Sequence, residues 1–78
     1  MRLSEKDRET TEILHMQERI FRMALKKWKV SIERCNEIFD MLQIDNYIRD
    51  VYGIFHVQGD EANLLEIDEY RKAKGVEI

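Results

Sequence analysis

The sequence predicts an all-α fold, a small bundle of about four helices packed on a long first helix. Apolar residues recur at the three- and four-residue intervals of a helix along most of the 78 residues. The composition is 44% hydrophobic and 37% charged and includes no proline, which is typical of a compact helical domain and argues against disorder. We therefore expect one domain over residues 1–78.

The first helix is predicted from about Thr10 to Lys29, after a charged lead-in over residues 1–9 that we expect to be frayed. Thr10 and Thr11 are candidate N-caps, and Ser4-Glu5-Lys6-Asp7 offers an earlier start of the Ser-x-x-acid kind. This helix is the longest element that the sequence predicts, so we expect it to support the others.

Apolar residues cover about half of the circumference of this first helix, more than a one-sided surface helix needs. They are Ile13, Leu14, Met16, Ile20, Phe21, Met23, Ala24, Leu25 and Trp28. The opposite side is charged or polar and should face water: His15, Glu18, Arg19, Arg22, Lys26 and Lys29. We expect Phe21 and Trp28 to anchor the core.

Ser31 is a good N-cap for a second helix, predicted from Ile32 to about Gln43. Glu33 lies in its first turn, where the helix dipole favours an acid. One side carries the residues that we expect to be buried: Ile32, Cys35, Ile38, Phe39 and Leu42.

The stretch from Asp45 to Gly59 predicts a single third helix that is covered on most of its circumference. Asp45 is its expected N-cap, and Gly59 can adopt the positive φ that ends a helix. Its apolar side is Tyr47, Ile48, Val51, Tyr52, Ile54 and Phe55.

A last helix is predicted from a cap at Asp60 to about Lys74, just before Gly75. Its apolar residues are Leu64, Leu65, Ile67 and Tyr70. Residues 62–67 also fit an extended strand, because the spacing of their apolar residues matches both the helical and the strand period. We favour a helix. Residues 76–78 form a short tail.

The sequence predicts a cytoplasmic protein that does not enter a membrane. Its one cysteine, Cys35, cannot form an internal disulfide, so we expect a reducing compartment. The charged first residues contain no apolar segment of signal-peptide length, and the sequence contains no run of about 18 apolar residues.

No pattern in the sequence indicates catalysis, a metal or a cofactor, and we expect the protein not to be an enzyme. The nitrogen and sulfur ligands are His15, Cys35 and His56, which fall on three predicted helices without a short pairing. Cys35 fits a small buried residue better than a nucleophile. His56, one turn after Tyr52, fits a structural latch at a helix end; a ligand or catalytic role is the alternative.

The one basic patch consists of Lys26, Lys27, Lys29 and Arg34. It raises the possibility of a helix-turn-helix regulator that binds nucleic acid. However, the third predicted helix offers Arg49 alone as a basic donor, and the net charge of the chain is −3. We therefore expect nucleic acid not to be the partner.

Charge and apolar content together favour contact with another protein chain, either a second copy or a different protein. Residues 1–34 hold nine Lys or Arg and six Asp or Glu, whereas residues 35–78 hold four and ten. Such asymmetry can orient a partner. The first helix and the tail also carry more apolar residues than we expect three short helices to cover, and we expect a partner surface at Met16, Met23, Val76 and Ile78.

A motif at the end of the third predicted helix resembles a known family. Tyr52, His56, Gln58 and Gly59 match the Tyr-x-x-x-His-x-Gln-Gly motif of a domain-of-unknown-function family of short bacterial all-helical proteins. Gly53 and Val57 stand where that family has Asp and Thr, so a polar network between these positions and His56 is altered here. A Lys-x-Ser turn at residues 29–31 supports the likeness, which covers about residues 16–76.

The resemblance implies a partner protein more than an enzyme. Members of that family are often companions of neighbouring genes, some of them similar to ADP-ribosyltransferases. This implies an accessory or antitoxin-like role. Our first hypothesis is therefore a protein-binding module; the alternatives are a small nucleic-acid-binding regulator that uses the Lys26–Arg34 patch and, third, a small enzyme.

Overall fold

The computed structural model describes the backbone of residues 5–78 and the side chains of residues 6–78. This part of the chain contains five helices and no strand: α1 (Glu5–Trp28), α2 (Ile32–Met41), α3 (Ile44–Asp50), α4 (Tyr52–Gln58) and α5 (Asp60–Ala73). The all-α prediction is confirmed. The predicted number of helices is wrong, because the stretch expected to form one third helix forms two.

The first helix is longer at its N-terminus than the sequence predicted. It begins at Glu5, so residues 5–9 are helical, while the rest of the expected lead-in, including Ser4, lies outside the described residues. Thr10 and Thr11 are not caps: inside the helix their hydroxyl groups donate to the carbonyl oxygens of Lys6 and Asp7, at 2.9 and 3.0 Å.

The end of α1 and the start of α2 follow the local chemistry. Lys29 has the left-handed φ of 54° and ends α1 one residue before the predicted boundary. The Ser31 cap is confirmed, because its hydroxyl oxygen accepts a hydrogen bond from the Arg34 N–H at 3.1 Å. α2 ends at Met41, two residues early, because Gln43 also adopts a left-handed conformation, with φ 52°.

The break between α3 and α4 falls at Val51. Its φ of −103° and ψ of 12° depart from the helix, and its carbonyl oxygen accepts from both Ile54 and Phe55, at 2.9 and 3.0 Å. The predicted Asp45 cap is wrong: α3 starts at the fully buried Ile44, two residues before the start that a cap at Asp45 implies, and the capping position is Gln43. Asp45 instead lies in the first turn of the helix.

The last helix is continuous, which confirms the helical interpretation of residues 62–67. Asp60 is its first residue and not its cap, and its carboxylate binds Arg19 at 3.3 Å. Gly59 separates α4 from α5 with a φ of 89°, positive as expected.

α1 packs on α2, α3 and α5, whereas α4 packs on α3 and α5. One apolar core joins them: Met16, Ile20, Ala24, Trp28, Cys35, Ile38, Phe39, Leu42, Ile44, Ile48, Phe55, Leu64 and Ile67. Trp28 is 5% exposed and meets the edge of the Phe39 ring at 6.1 Å between centroids. Phe21, expected to be a second anchor, is only partly buried and packs against Phe39 from outside at 5.0 Å.

Several apolar residues that the sequence assigned to buried sides are exposed. Ile32, Leu14, Ile54 and Leu65 are between 50% and 59% exposed. Each lies at the edge of its helix's apolar arc, and five short or medium helices around one small core bury only the middle of each arc. Among residues 5–78, no helix is long and apolar enough to cross a membrane.

Candidate functional site

The motif residues Tyr52 and His56 lie on α4 against the N-terminal half of α1. The Tyr52 hydroxyl donates a hydrogen bond to a carboxylate oxygen of Glu12 at 2.8 Å. The His56 ring stacks on Tyr52, one turn away, with 5.4 Å between ring centroids and 29° between planes. The motif therefore presents a stacked pair of rings that is tied to α1 by one hydrogen bond.

Beside this pair, α1, α4 and the start of α5 line a small cavity of about 270 Å³ that is open to solvent. We call it the motif cavity; its polar lining is Glu12, His15, Arg19, Tyr52, His56 and Asp60. The two histidines, which the sequence placed on separate helices, thus share one cavity. Within residues 6–78, no three His, Cys, Asp or Glu side chains are placed to hold a metal ion.

The chemistry of the motif cavity favours binding by its ring faces and charges. The hydrogen bond to Glu12 is the main cause that raises the pKa of Tyr52, and burial is the next. The phenol therefore stays protonated at neutral pH and acts as a hydrogen-bond donor, not as a base. Pockets for small ligands usually enclose about 300–1,000 Å³. At about 270 Å³, the motif cavity lies just below that range.

The other motif residues, Gln58 and Gly59, form the joint between α4 and α5. The amide nitrogen of Gln58 donates to the side-chain oxygen of Asn63 at 2.9 Å, and the amide nitrogen of Asn63 donates to the Phe55 carbonyl oxygen at 2.9 Å. Asn63 is fully buried, whereas His56 is exposed. The side-chain hydrogen bonds at the end of α4 are therefore made by Gln58 and Asn63, whereas His56 stacks on Tyr52. The latch role of His56 stays a prediction.

This joint gives a direct prediction. Asn63→Ala should lower the free energy of unfolding by about 1–3 kcal/mol, since it leaves the buried Phe55 carbonyl without its donor. His56→Ala, at an exposed position, should change it by about 0.5 kcal/mol or less. Urea denaturation of both variants measures the difference; an equal loss in both would restore the latch to His56.

The outer side of α4 is apolar and exposed. Phe55 is the one α4 side chain that is fully buried, while Ile54 and Val57 are 59% and 77% exposed. Their three-residue spacing places them on the same side of the helix. We call this pair the α4 surface. Val57 occupies the position where the resembling family has a threonine.

The partner surface that the sequence proposed is mostly covered by the chain itself. Met16 is 4% exposed and belongs to the core, and it also lines the motif cavity. Met23 and Val76 are partly buried against the core. Of the four, Ile78 is well exposed, at 51%.

Two members of the proposed basic patch have partners inside the chain. The Lys27 ammonium lies 3.8 Å from the carboxylate of Asp68. Arg34 donates to the Glu77 carbonyl oxygen at 2.6 Å and also approaches Glu37. Lys26 and Lys29 are exposed and belong to no ion pair among the residues described. The patch therefore offers a nucleic acid two free cations.

Sequence reasoning missed a buried polar cluster at the opposite end of the core. The Trp28 indole N–H donates to Asp68 at 2.8 Å, and Arg71 donates to the same carboxylate oxygen at 2.9 and 3.1 Å. Arg71 also donates to the Val76 carbonyl oxygen at 2.6 Å, which fixes the tail. Helical spacing could have indicated that Asp68 and Arg71 are buried, because they continue the buried stripe of Leu64 and Ile67.

Comparison with known proteins supplies a family but no activity. A family model described as "Protein of unknown function (DUF3791)" matches residues 23–74. The match includes Tyr52, His56, Gln58 and Gly59 but not the α1 residues of the motif cavity. Curated proteins and solved structures give no significant match. Because the matched segment covers more than half of the chain, the protein belongs to the DUF3791 family.

Proposed function

We propose that the protein is a binding module for another protein chain and that α4 is the centre of the contact. The observation that carries the proposal is the α4 surface, where Ile54 and Val57 stand exposed side by side on a helix of seven residues. Single exposed apolar side chains are common on soluble proteins. Two on one side of a helix that buries a single side chain form a projecting apolar ridge that a groove can cover.

The surroundings of this ridge suit an interface. Protein contacts commonly combine an apolar centre with a polar rim, and aromatic side chains are enriched in them. Tyr52 and His56 lie on the side of α4 that faces α1, where the motif cavity opens, about 100° or more around the helix from Ile54 and Val57. The proposed apolar centre is therefore Ile54 and Val57, and the aromatic pair lies outside that centre.

The family resemblance suggests which partner to try first. It implies a companion of a neighbouring gene product, with an accessory or antitoxin-like role. The family description names no activity of its own. The first candidate is therefore the product of the adjacent gene, tested as a purified mixture with this protein.

We predict that Ile54→Ser together with Val57→Ser weakens the complex by about thirtyfold or more without unfolding the chain. If both residues are at the centre of the contact, each substitution should cost more than about 1 kcal/mol, and a loss of about 2 kcal/mol corresponds to that factor. The matched control is Ile32→Ser with Met41→Ser on α2, whose side chains are 58% and 57% exposed. Calorimetry on the mixture measures affinity, and circular dichroism measures folding; undiminished binding by the α4 variant would contradict the proposal.

Exposed Lys26 and Lys29 keep nucleic-acid binding as a second candidate. We predict that the protein binds duplex DNA at physiological salt more weakly than about 10⁻⁴ M, because two free cations release few counterions. A filter-binding titration at two salt concentrations is the measurement. Micromolar, salt-sensitive binding that disappears in Lys26→Gln with Lys29→Gln would favour the second candidate over the first.

A further inference from the structure

The first helix carries a second row of residues outside the core, on the side away from α4. We call it the α1 stripe; its members are Leu14, Glu18, Phe21 and Leu25. At about 100° per residue, the four lie within about 60° of the helix circumference. Leu14 is 50% exposed, and Phe21 and Leu25 are only partly buried. Glu12, which binds Tyr52, lies about 150° around α1 from the middle of the stripe, so a partner on the stripe leaves α4 uncovered.

An open groove of about 290 Å³ runs beside the α1 stripe, between α1, α2 and the start of α3. Leu14 and Phe21 form its apolar lining. Glu18, Arg22 and Asp45 form its charged rim. The groove therefore offers an apolar floor and charges of both signs to whatever lies along α1.

The spacing of the α1 stripe is the same from either end. Its members follow one another at intervals of four, three and four residues, the alternation by which helices pack side by side in coiled coils. Two copies aligned in opposite directions bring Leu14 to Leu25 of the second copy and Glu18 to Phe21 of the second copy. Each contact then occurs twice, about a two-fold axis that crosses α1 between residues 19 and 20.

The same alignment brings a cation to two carboxylates of the groove. It places Arg22 of the second copy at the height of Gln17 along α1. The Gln17 amide donates to the Asp45 carbonyl oxygen at 2.9 Å, so Asp45 lies at that height too, and Glu18 follows Gln17 directly. Within residues 6–78, none of Glu18, Arg22 and Asp45 forms an ion pair. Their charges are therefore available to a second copy.

The electrostatics of Asp45 agree with a missing cation. Burial and then the charge of Asp40 raise the pKa of its carboxyl group, and Arg49, one turn along α3, offsets only part of this. A guanidinium beside Asp45 would stabilise its charged form.

We infer that a second copy of this chain docks on the α1 stripe and its groove, antiparallel and related by a two-fold axis. Leu25 of each copy covers Leu14 of the other, and Arg22 of each meets Glu18 and Asp45 of the other. The occupant is a second copy because the stripe complements itself in both spacing and charge. The inference goes beyond the proposed function and does not depend on it; the dimer presents two α4 surfaces on its outer sides.

Sedimentation equilibrium of the intact protein over roughly 5–500 µM is the test. We expect a dimer that dissociates in the micromolar range, because the contact is small. Leu14→Glu should raise the dissociation constant of the dimer by about tenfold or more, since it places a charge in the apolar contact twice. Leu65→Glu on α5, where the side chain is 52% exposed, is the matched control and should leave the constant unchanged.

Charge reversal tests the antiparallel register. Glu18→Arg alone and Arg22→Glu alone should each weaken the dimer by about fivefold or more, because like charges then meet across the axis. An equimolar mixture of the two variants should associate again, since an arginine at position 18 of one copy faces a glutamate at position 22 of the other. Both side chains are exposed, and circular dichroism of each variant verifies that it is folded.

Four results would overturn the inference. They are a protein that stays monomeric up to about 500 µM, a dimer that survives Leu14→Glu, a mixture of the charge variants that stays dissociated, and a dimer that dissociates in Ile54→Ser with Val57→Ser. A monomeric protein whose Leu14→Glu variant loses the neighbouring gene product would show that the groove takes a different protein. Failure of the proposed function appears separately, as undiminished binding of the gene product by the α4 variant.

Discussion

Trp28→Ala is expected to lower the free energy of unfolding by about 3–5 kcal/mol, the usual cost of truncating a buried aromatic side chain. The indole is 5% exposed, meets Phe39 edge-on and donates a buried hydrogen bond to Asp68. Domains of this size have little stability to lose, with totals of about 5–15 kcal/mol for most native proteins. Urea denaturation followed by circular dichroism gives the change.

Trp28→Phe separates packing from hydrogen bonding at this position. It keeps a ring in the core but removes the donor to Asp68. The loss of unfolding free energy should therefore be smaller than the loss in Trp28→Ala, and the two losses should differ by at least about 1–2 kcal/mol. Leu65→Ala, at a 52% exposed position on α5, is the control and should cost about 0.5 kcal/mol or less. A Trp28→Ala protein that melts within a degree or two of wild type would contradict the assignment of this residue to the centre of the core.

Asp68→Ala should be of similar severity, at about 3–5 kcal/mol, because it leaves a buried guanidinium without its carboxylate. Arg71 is 7% exposed, lies over the Trp28 ring at 5.5 Å and donates twice to Asp68. The neighbouring Glu69→Ala, at an exposed position, is the matched control. If both variants lose the same small amount, the cluster contributes no more than a surface ion pair.

The same cluster predicts how stability depends on pH. Burial raises the pKa of Asp68, but hydrogen bonds from Arg71 and Trp28 and the charges of Arg71 and Lys72 outweigh it, so the pKa lies below its ordinary value. The stabilisation is therefore present above about pH 4, where the unfolded carboxyl ionises, and is lost as pH falls through the lower pKa of the folded state. Asp68→Ala should flatten that acid limb in denaturation measured at several pH values.

Local chemistry in the sequence predicted part of this fold. Ser31 caps α2 because a hydroxyl at that position satisfies a free N–H whatever the rest of the chain does. The break at Val51 was missed because the apolar residues from Tyr47 to Phe55 follow one helical period, so that Gly53, two residues beyond the break, fitted the polar side of a single helix. The sequence also does not show that α4 buries Phe55 alone, since that depends on the packing of α4 against α3 and α5.

In the candidate site, too, the sequence predicted local features but not contacts between distant residues. The motif predicted that Tyr52, His56, Gln58 and Gly59 matter, but not that Glu12, 40 residues away, binds Tyr52. Likewise, Asp68 and Arg71 look like ordinary surface charges in sequence until Trp28 supplies a partner. The apolar period of a helix predicts its buried direction but not how wide an arc its neighbours cover, so Leu14 and Ile54 were assigned to the core wrongly.

The position of Cys35 gives this protein a natural reporter of its own opening. The side chain is fully buried between α1 and α2, and burial raises the pKa of the thiol to about 11. The thiolate is the nucleophile that displaces the leaving group of an alkylating reagent, and it is scarce at neutral pH even apart from steric protection. The rate at which an alkylating reagent labels Cys35 therefore measures how often these two helices separate, and a complex that clamps the bundle should slow that rate without any introduced label.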